Sequence, residues 1–150
     1  MVAGWPMRRI ASRRAGVSRD LRERLKNAHR ACVMLRHGAY LFDDEGREQW
    51  RGNCLRCGKV NWLQVSHIEP KGQFPHLEFD VDNAFALCYR CHLHWWHKNP
   101  READAFSVAQ MGESARERLA MRARARHGRI DAAAVLLFLT QMRATMGRGG

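Results

Sequence analysis

Cys54-Leu55-Arg56-Cys57 and Cys88-Tyr89-Arg90-Cys91-His92 decide how this chain folds, with Ser66-His67-Ile68 and Asp82-Asn83 between them and His94 and His97 just beyond. Each thiol pair has two intervening residues, and the thirty residues 58 to 87 separate the pairs. That spacing gathers four sulfurs round one zinc ion, and such a site supplies much of the folding energy of a small domain. Five cysteines with no secretory signal ahead of them fit metal ligation in a reducing compartment better than disulfides. The expected location is therefore the cytoplasm.

Between the two pairs, Leu63 to Ile68 alternates well enough for a strand, with Val65 and His67 on one face. A loop rich in Pro and Gly, residues 69 to 75, leads to a second short strand expected over His76 to Phe79. The turn at Asp80 to Asn83 then opens a segment that becomes helical from Ala84 round the second thiol pair. The result is an α+β fold: a small zinc-knuckle core with an N-terminal helix and C-terminal helical extensions. Its expected divisions are a basic arm at residues 1–17, a core with its N-terminal helix at 18–98, and a helical extension at 99–150.

The flanks read as support. Ser18 caps a helix whose Leu21, Leu25, Ala28, Cys32 and Leu35 form one apolar face, so Cys32 is a buried small hydrophobe, while Arg22, Lys26 and Arg30 lie opposite. Gly38 ends it, and residues 39 to 53, with Asp43, Asp44 and Glu45 before Gly46, read as a loop. Asn99-Pro100-Arg101-Glu102 and Ser114-Ala115-Arg116-Glu117 are capping-box signatures for two further helices. Asp131 caps a third, whose Val135, Phe138, Leu139 and Met142 suit packing on the core or on a second subunit, leaving a homodimer open.

Lys and Arg number 26 against 15 Asp and Glu in 150 residues, a formal charge of +11, which suits a polyanion, nucleic acid first, better than a neutral metabolite. No run approaches the roughly 18 apolar residues of a membrane span, so no membrane partner is expected. Arg56, Arg90 and Lys98 lie beside the thiol and histidine cluster, where they could clamp phosphates. Trp95 and Trp96 could stack on bases or pack in the core.

At Cys54-x-x-Cys57, Ser66-His67-Ile68, Asn83 and Leu87-Cys88-x-x-Cys91-His92 the chain resembles the HNH nucleases, the ββα-metal or His-Me finger superfamily, and within it phage proteins of the NinG or Rap type. The resemblance implies a metal-dependent endodeoxyribonuclease, phage-encoded and acting in recombination or DNA processing, on duplex or branched DNA, with a phage DNA-processing partner and the host cytoplasm as its setting. It makes His67 the general base, Asn83 a positional residue that ties a loop to the strand bearing the base, and His92 a ligand of a catalytic ion. Mg²⁺ or Mn²⁺ suits that ion, since phosphate and water oxygens complete its shell, while the four thiolates take structural Zn²⁺.

One residue departs from the family's commonest pattern. Ser66 occupies a position where many members carry an Asp or His that binds the cation, so the site either draws a donor from elsewhere, such as Asp80, Asp82 or His97, or relies on water and DNA phosphate, or else the chain is a zinc-stabilised DNA-binding module that does not cut. His94 and His97 face away from His92 on the roughly 100° step of an ideal helix, His97 by about 140°. A loosened helix near Trp95 and Trp96 would bring His97 back.

Overall fold

The computed structural model describes residues 16–148; most of the basic arm expected over residues 1–17 lies outside them. In chain order the elements are α1 (Arg19–Arg36), β1 (Tyr40–Asp44), β2 (Arg47–Asn53), β3 (Val60–His67) and β4 (Ala84–Cys88), then a π-helical segment (Arg90–Trp95) running into a 3-10 turn (Trp96–Lys98). Three helices follow, α2 (Pro100–Met111), α3 (Glu113–Arg124) and α4 (Ala132–Gly147). The four strands form one antiparallel sheet in the order β1-β2-β3-β4.

β3 changes partner along its length. Its first residues, Val60 to Trp62, pair with β2, and Leu63 to His67 pair with β4. β3, β4 and the π-helical segment together make the two strands and helix of a ββα unit. The second strand is thus Ala84–Cys88, not the expected His76 to Phe79, where Pro75 instead starts a 3-10 turn, Pro75–Leu77. All five β4 residues are buried, and a short apolar run with both faces covered shows neither strand nor helix period.

The expected loop at 39 to 53 is instead a hairpin, β1 with β2. Its turn places Glu45 at φ 52° and Gly46 at φ 80°, the paired left-handed conformation of a two-residue hairpin turn, closed by Gly46 N–H donating to Asp43 Oδ1 at 3.0 Å. Glu is a poor residue for that conformation, which hides the turn from a composition reading. The acidic trio is therefore the tip of a hairpin. Gly52 lets this hairpin lie against the chain leaving α1, since a Cβ there would meet Ala39 Cα at 3.1 Å.

α1 stands between two apolar clusters. Ala31 and Met34 join Trp50, Leu63, Phe85, Leu87 and Trp96 in one; Leu25, Ala28, Cys32 and Val33 join Phe79, Val81, Val135 and Leu139 in the other. Ser18 Oγ accepts from Leu21 N–H at 3.1 Å and Asp131 Oδ1 from Ala134 N–H at 3.1 Å, so both caps read in the sequence form. α4 packs on α1 within the chain through Val135 and Leu139, and Cys32 is fully buried, its thiol pushed up to about 11 by burial.

The other two caps differ from expectation. Asn99 turns back to donate to Trp95 O at 2.9 Å, and Glu102 accepts from Trp95 Nε1 at 2.8 Å, so neither closes a box. α3 starts at Glu113, directly after Gly112 at φ 85°, and Ser114 lies inside its first turn.

Candidate metal centre and active site

The ligand atoms of Cys54, Cys57, Cys88 and Cys91 all lie within 4.8 Å of one another, and Cys57 Sγ is 4.0 Å from Cys88 Sγ. Four thiolates round tetrahedral zinc at ~2.3 Å stand ~3.8 Å apart, so the cluster has the size of a zinc site. It is the group of three or more metal donors found among the described residues.

The backbone makes the cluster. The left-handed Gly58, φ 74°, closes the first knuckle with its N–H on Cys54 O at 2.8 Å, and the second pair leaves the end of β4. Burial alone would raise the Cys54 thiol, but backbone N–H groups of Cys57, Cys88 and Arg56 bring it down to about 7. Burial raises Cys88, and Cys91 to about 12. Arg56 adds positive charge, with Nη1 3.6 Å from Cys91 Sγ and its guanidinium 3.8 Å over the Trp95 ring.

A groove of about 880 Å³ opens beside this cluster, and His67, His92 and His97 all line it. His67 Nε2 donates to Glu78 O at 2.8 Å, which fixes the tautomer and leaves Nδ1 with its lone pair. Burial lowers its pKa, helped by the charge of Lys71 and opposed by the Glu78 carbonyl. Behind it His29, 3% exposed, stacks with ring centroids 5.7 Å apart and donates to Asp80 O at 3.2 Å. Burial takes His29 down to about 3, against the pull of that carbonyl. Both imidazoles are thus held by carbonyls of one short loop, 78 to 80.

That loop is gripped from outside. Arg22 of α1 holds the Glu78 carboxylate at 2.8 and 2.9 Å, and Arg122 of α3 holds Asp80 at 2.6 Å. Asn83, fully buried, ties the start of the β3–β4 connection to the residue just before that loop: Oδ1 accepts from Glu69 N–H at 2.7 Å, and Nδ2 donates to Glu69 O at 3.0 Å and Leu77 O at 3.2 Å. Its own carbonyl accepts from Ile68 N–H at 2.9 Å, just past His67.

His92 donates through Nδ1 to Gln64 Oε1 at 2.9 Å, which turns Nε2 to within 3.1 Å of His97 Nε2. Burial and the charges of His97, His67 and Lys71 lower His92 to about 4. Two imidazole nitrogens on one ion at ~2.0–2.1 Å lie ~2.9 to 3.4 Å apart for right-angle to tetrahedral geometry, so the pair is spaced as adjacent ligands.

The π-helical segment explains why His97 is there. The Trp96 N–H reaches Cys91 O, five residues back, as well as His92 O, so the turn is wider than an α-turn and residue 97 comes round above residue 92. His94 leaves the groove and packs edge-on against Tyr89.

The other expected donors are occupied. Asp80 is paired with Arg122, and Asp82 with Arg36 at 3.2 Å. Ser66 is fully buried, and its Oγ finds no partner among the described residues. Trp96 is buried, and Trp95 lies under Arg56. Arg90 and Lys98 are exposed and outside the residues lining the groove, whose basic rim is instead Lys26, Arg30 and Lys71. Gln64 and His29 carried no sequence signal: one is a polar strand residue, the other a lone histidine in a helix.

Residues 54–95 match the family model for HNH endonuclease. No curated protein and no solved structure matches the chain significantly. The match, falling on the ββα unit and its four thiols, supports the HNH superfamily for this segment and with it a nuclease or DNA-binding function, with DNA as partner. Among the described residues no helix is long and apolar enough to cross a membrane.

Proposed function

We propose that the chain is a metal-dependent endodeoxyribonuclease, with Zn²⁺ on the four cysteines and a second divalent ion on His92 and His97. The observation that carries this reading is the convergence on one groove of an imidazole whose Nδ1 is left free by the Glu78 carbonyl and a pair of imidazoles whose Nε2 atoms are 3.1 Å apart. His67 stays neutral at physiological pH and takes the proton of the attacking water on Nδ1 as the water oxygen bonds to phosphorus. The bond from phosphorus to the leaving oxygen breaks, and that oxygen takes a proton from solvent. A divalent ion would supply positive charge beside the scissile phosphate and the leaving oxygen. Lys26, Arg30 and Lys71 hold the flanking phosphates.

With two nitrogen donors from the chain, the site would favour Mn²⁺ or another transition ion over Mg²⁺, with the rest of its ligands coming from water and phosphate oxygens. His97 stands in for the acidic donor that Ser66 does not provide. Asn83 and Gln64 are positioning residues, one for the loop that orients His67, the other for His92. A role in phage recombination or DNA processing on branched DNA rests on the resemblance to phage proteins of the NinG or Rap type.

Nicking of supercoiled plasmid and of a synthetic four-way junction, with Mn²⁺, Mg²⁺ or no added ion, tests the reading. Cleavage is expected with Mn²⁺ and is lost in a folded His67→Ala protein. Binding without cleavage, unchanged in His67→Ala, would leave a zinc-stabilised DNA-binding module. Equal cutting of linear duplex and junction removes the branched preference alone.

A further inference from the structure

One face of the sheet, across β1 to β3, carries aromatic surface that the catalytic groups do not use. Tyr40 is 73% exposed, Phe42 48% and Trp62 43%. In the strand register Tyr40, Arg51 and Trp62 form one row across β1, β2 and β3. The Arg51 guanidinium sits 5.2 Å over the Trp62 ring, and Phe42 meets it edge-on at 5.6 Å. The ring is braced, yet nearly half of the residue stays open.

Trp62 also lines the groove that holds His67 and His92. It lies two residues before Gln64, the hydrogen-bond partner of His92, so the two side chains leave the same side of β3 roughly 7 Å apart. One nucleotide spans that distance. The groove's basic rim and the formal charge of +11 favour a polyanion over an apolar protein face.

We infer that Trp62, with Arg51 and Phe42 behind it, is a stacking platform for an unpaired base next to the scissile phosphate, so that the preferred substrate is DNA with a single-stranded gap or flap at the cut. Bases inside a duplex have both faces covered by their neighbours, and only an unstacked base offers one to an indole. The inference rests on the nuclease reading for its cut but not for its binding.

The test uses full-length, zinc-loaded protein in the His67→Ala background, so that labelled DNA is bound and not consumed. Fluorescence anisotropy compares fully paired duplex with the same duplex interrupted by a short gap. The parent protein is expected to prefer the gapped DNA; adding Trp62→Ala weakens gapped binding on the order of tenfold and collapses the preference, whereas Trp62→Phe retains most of it. The same ranking is expected for cleavage when His67 is kept. Unchanged gap preference in Trp62→Ala overturns the platform, and if wild type still cuts plasmid the nuclease reading stands. Lost preference with no cleavage by any protein supports the platform and removes the nuclease. Light scattering without DNA supplies the remaining outcome: a dimer that Trp62→Ala converts to monomer, with gapped binding unaltered, assigns the surface to a second copy of the chain and overturns the proposal.

Discussion

Replacing Asn83 by Asp keeps the side chain's size and changes one atom. Oδ1 can still accept from Glu69 N–H at 2.7 Å, but the atom that replaces Nδ2 faces the carbonyls of Glu69 at 3.0 Å and Leu77 at 3.2 Å. Two buried hydrogen bonds to carbonyls are lost, at about 1 kcal/mol each, and an ionised carboxylate against two carbonyls adds several more, so the ionised variant is destabilised by roughly 3–5 kcal/mol. Protonation relieves this, because a neutral carboxyl can donate to one of the carbonyls. The introduced carboxyl is therefore pushed above its unfolded value of about 3.9, and stability present below that pH is lost as pH rises through the folded pKa. Urea melts of wild type and Asn83→Asp at pH 4 to 8 should show a gap that widens with pH while the slopes stay alike. A gap below about 1 kcal/mol at pH 7, or one that narrows with pH, would refute the claim that this amide holds the loop through those carbonyls.

Two other outcomes follow from the same structure. Cys88→Ser, which removes one of four clustered thiols, is expected to leave the chain unfolded and without zinc, so a cooperative melt from zinc-free Cys88→Ser would contradict the zinc assignment. His29 is 3% exposed with its pKa depressed to about 3, so it binds a proton more readily when unfolded. Its contribution is complete above pH 6.5 and falls away as pH drops toward 3, by up to about 5 kcal/mol; a His29→Gln variant should show a flatter loss of stability with acid, as read by denaturant melts.

The parts of the fold legible in the sequence were those carried by local spacing. C-x-x-C pairs bring their thiols together through a single turn, and Ser18 and Asp131 act on backbone three residues away, so neither depends on distant partners. The hairpin was hidden because Tyr40-Leu41-Phe42 does not alternate and its turn uses Glu45 in a conformation that Asn usually fills. β4 was hidden because Ala84 to Cys88 is buried on both faces. In the site, His97 falls out of phase only on an α-helical count, and the wide turn at Trp96 is a backbone property that periodicity does not encode. The signature at Asn99 placed the start of α2, with Pro100 as its first residue, but its side chains close no box because the preceding turn competes for them: Trp95 offers both Asn99 and Glu102 a partner. Gly112 in a left-handed conformation starts α3 ahead of the signature at Ser114.

The grip of Arg22 and Arg122 on the loop from 78 to 80 has a bearing on how this unit could be transplanted. The matched segment, 54–95, contains the thiols and His67 but neither arginine, which arrive from α1 and α3. A graft cut at the edges of that segment would keep its zinc knuckle and lose the two hands that hold the loop under His67. What has to travel as one piece is the segment together with the helices on either side of it.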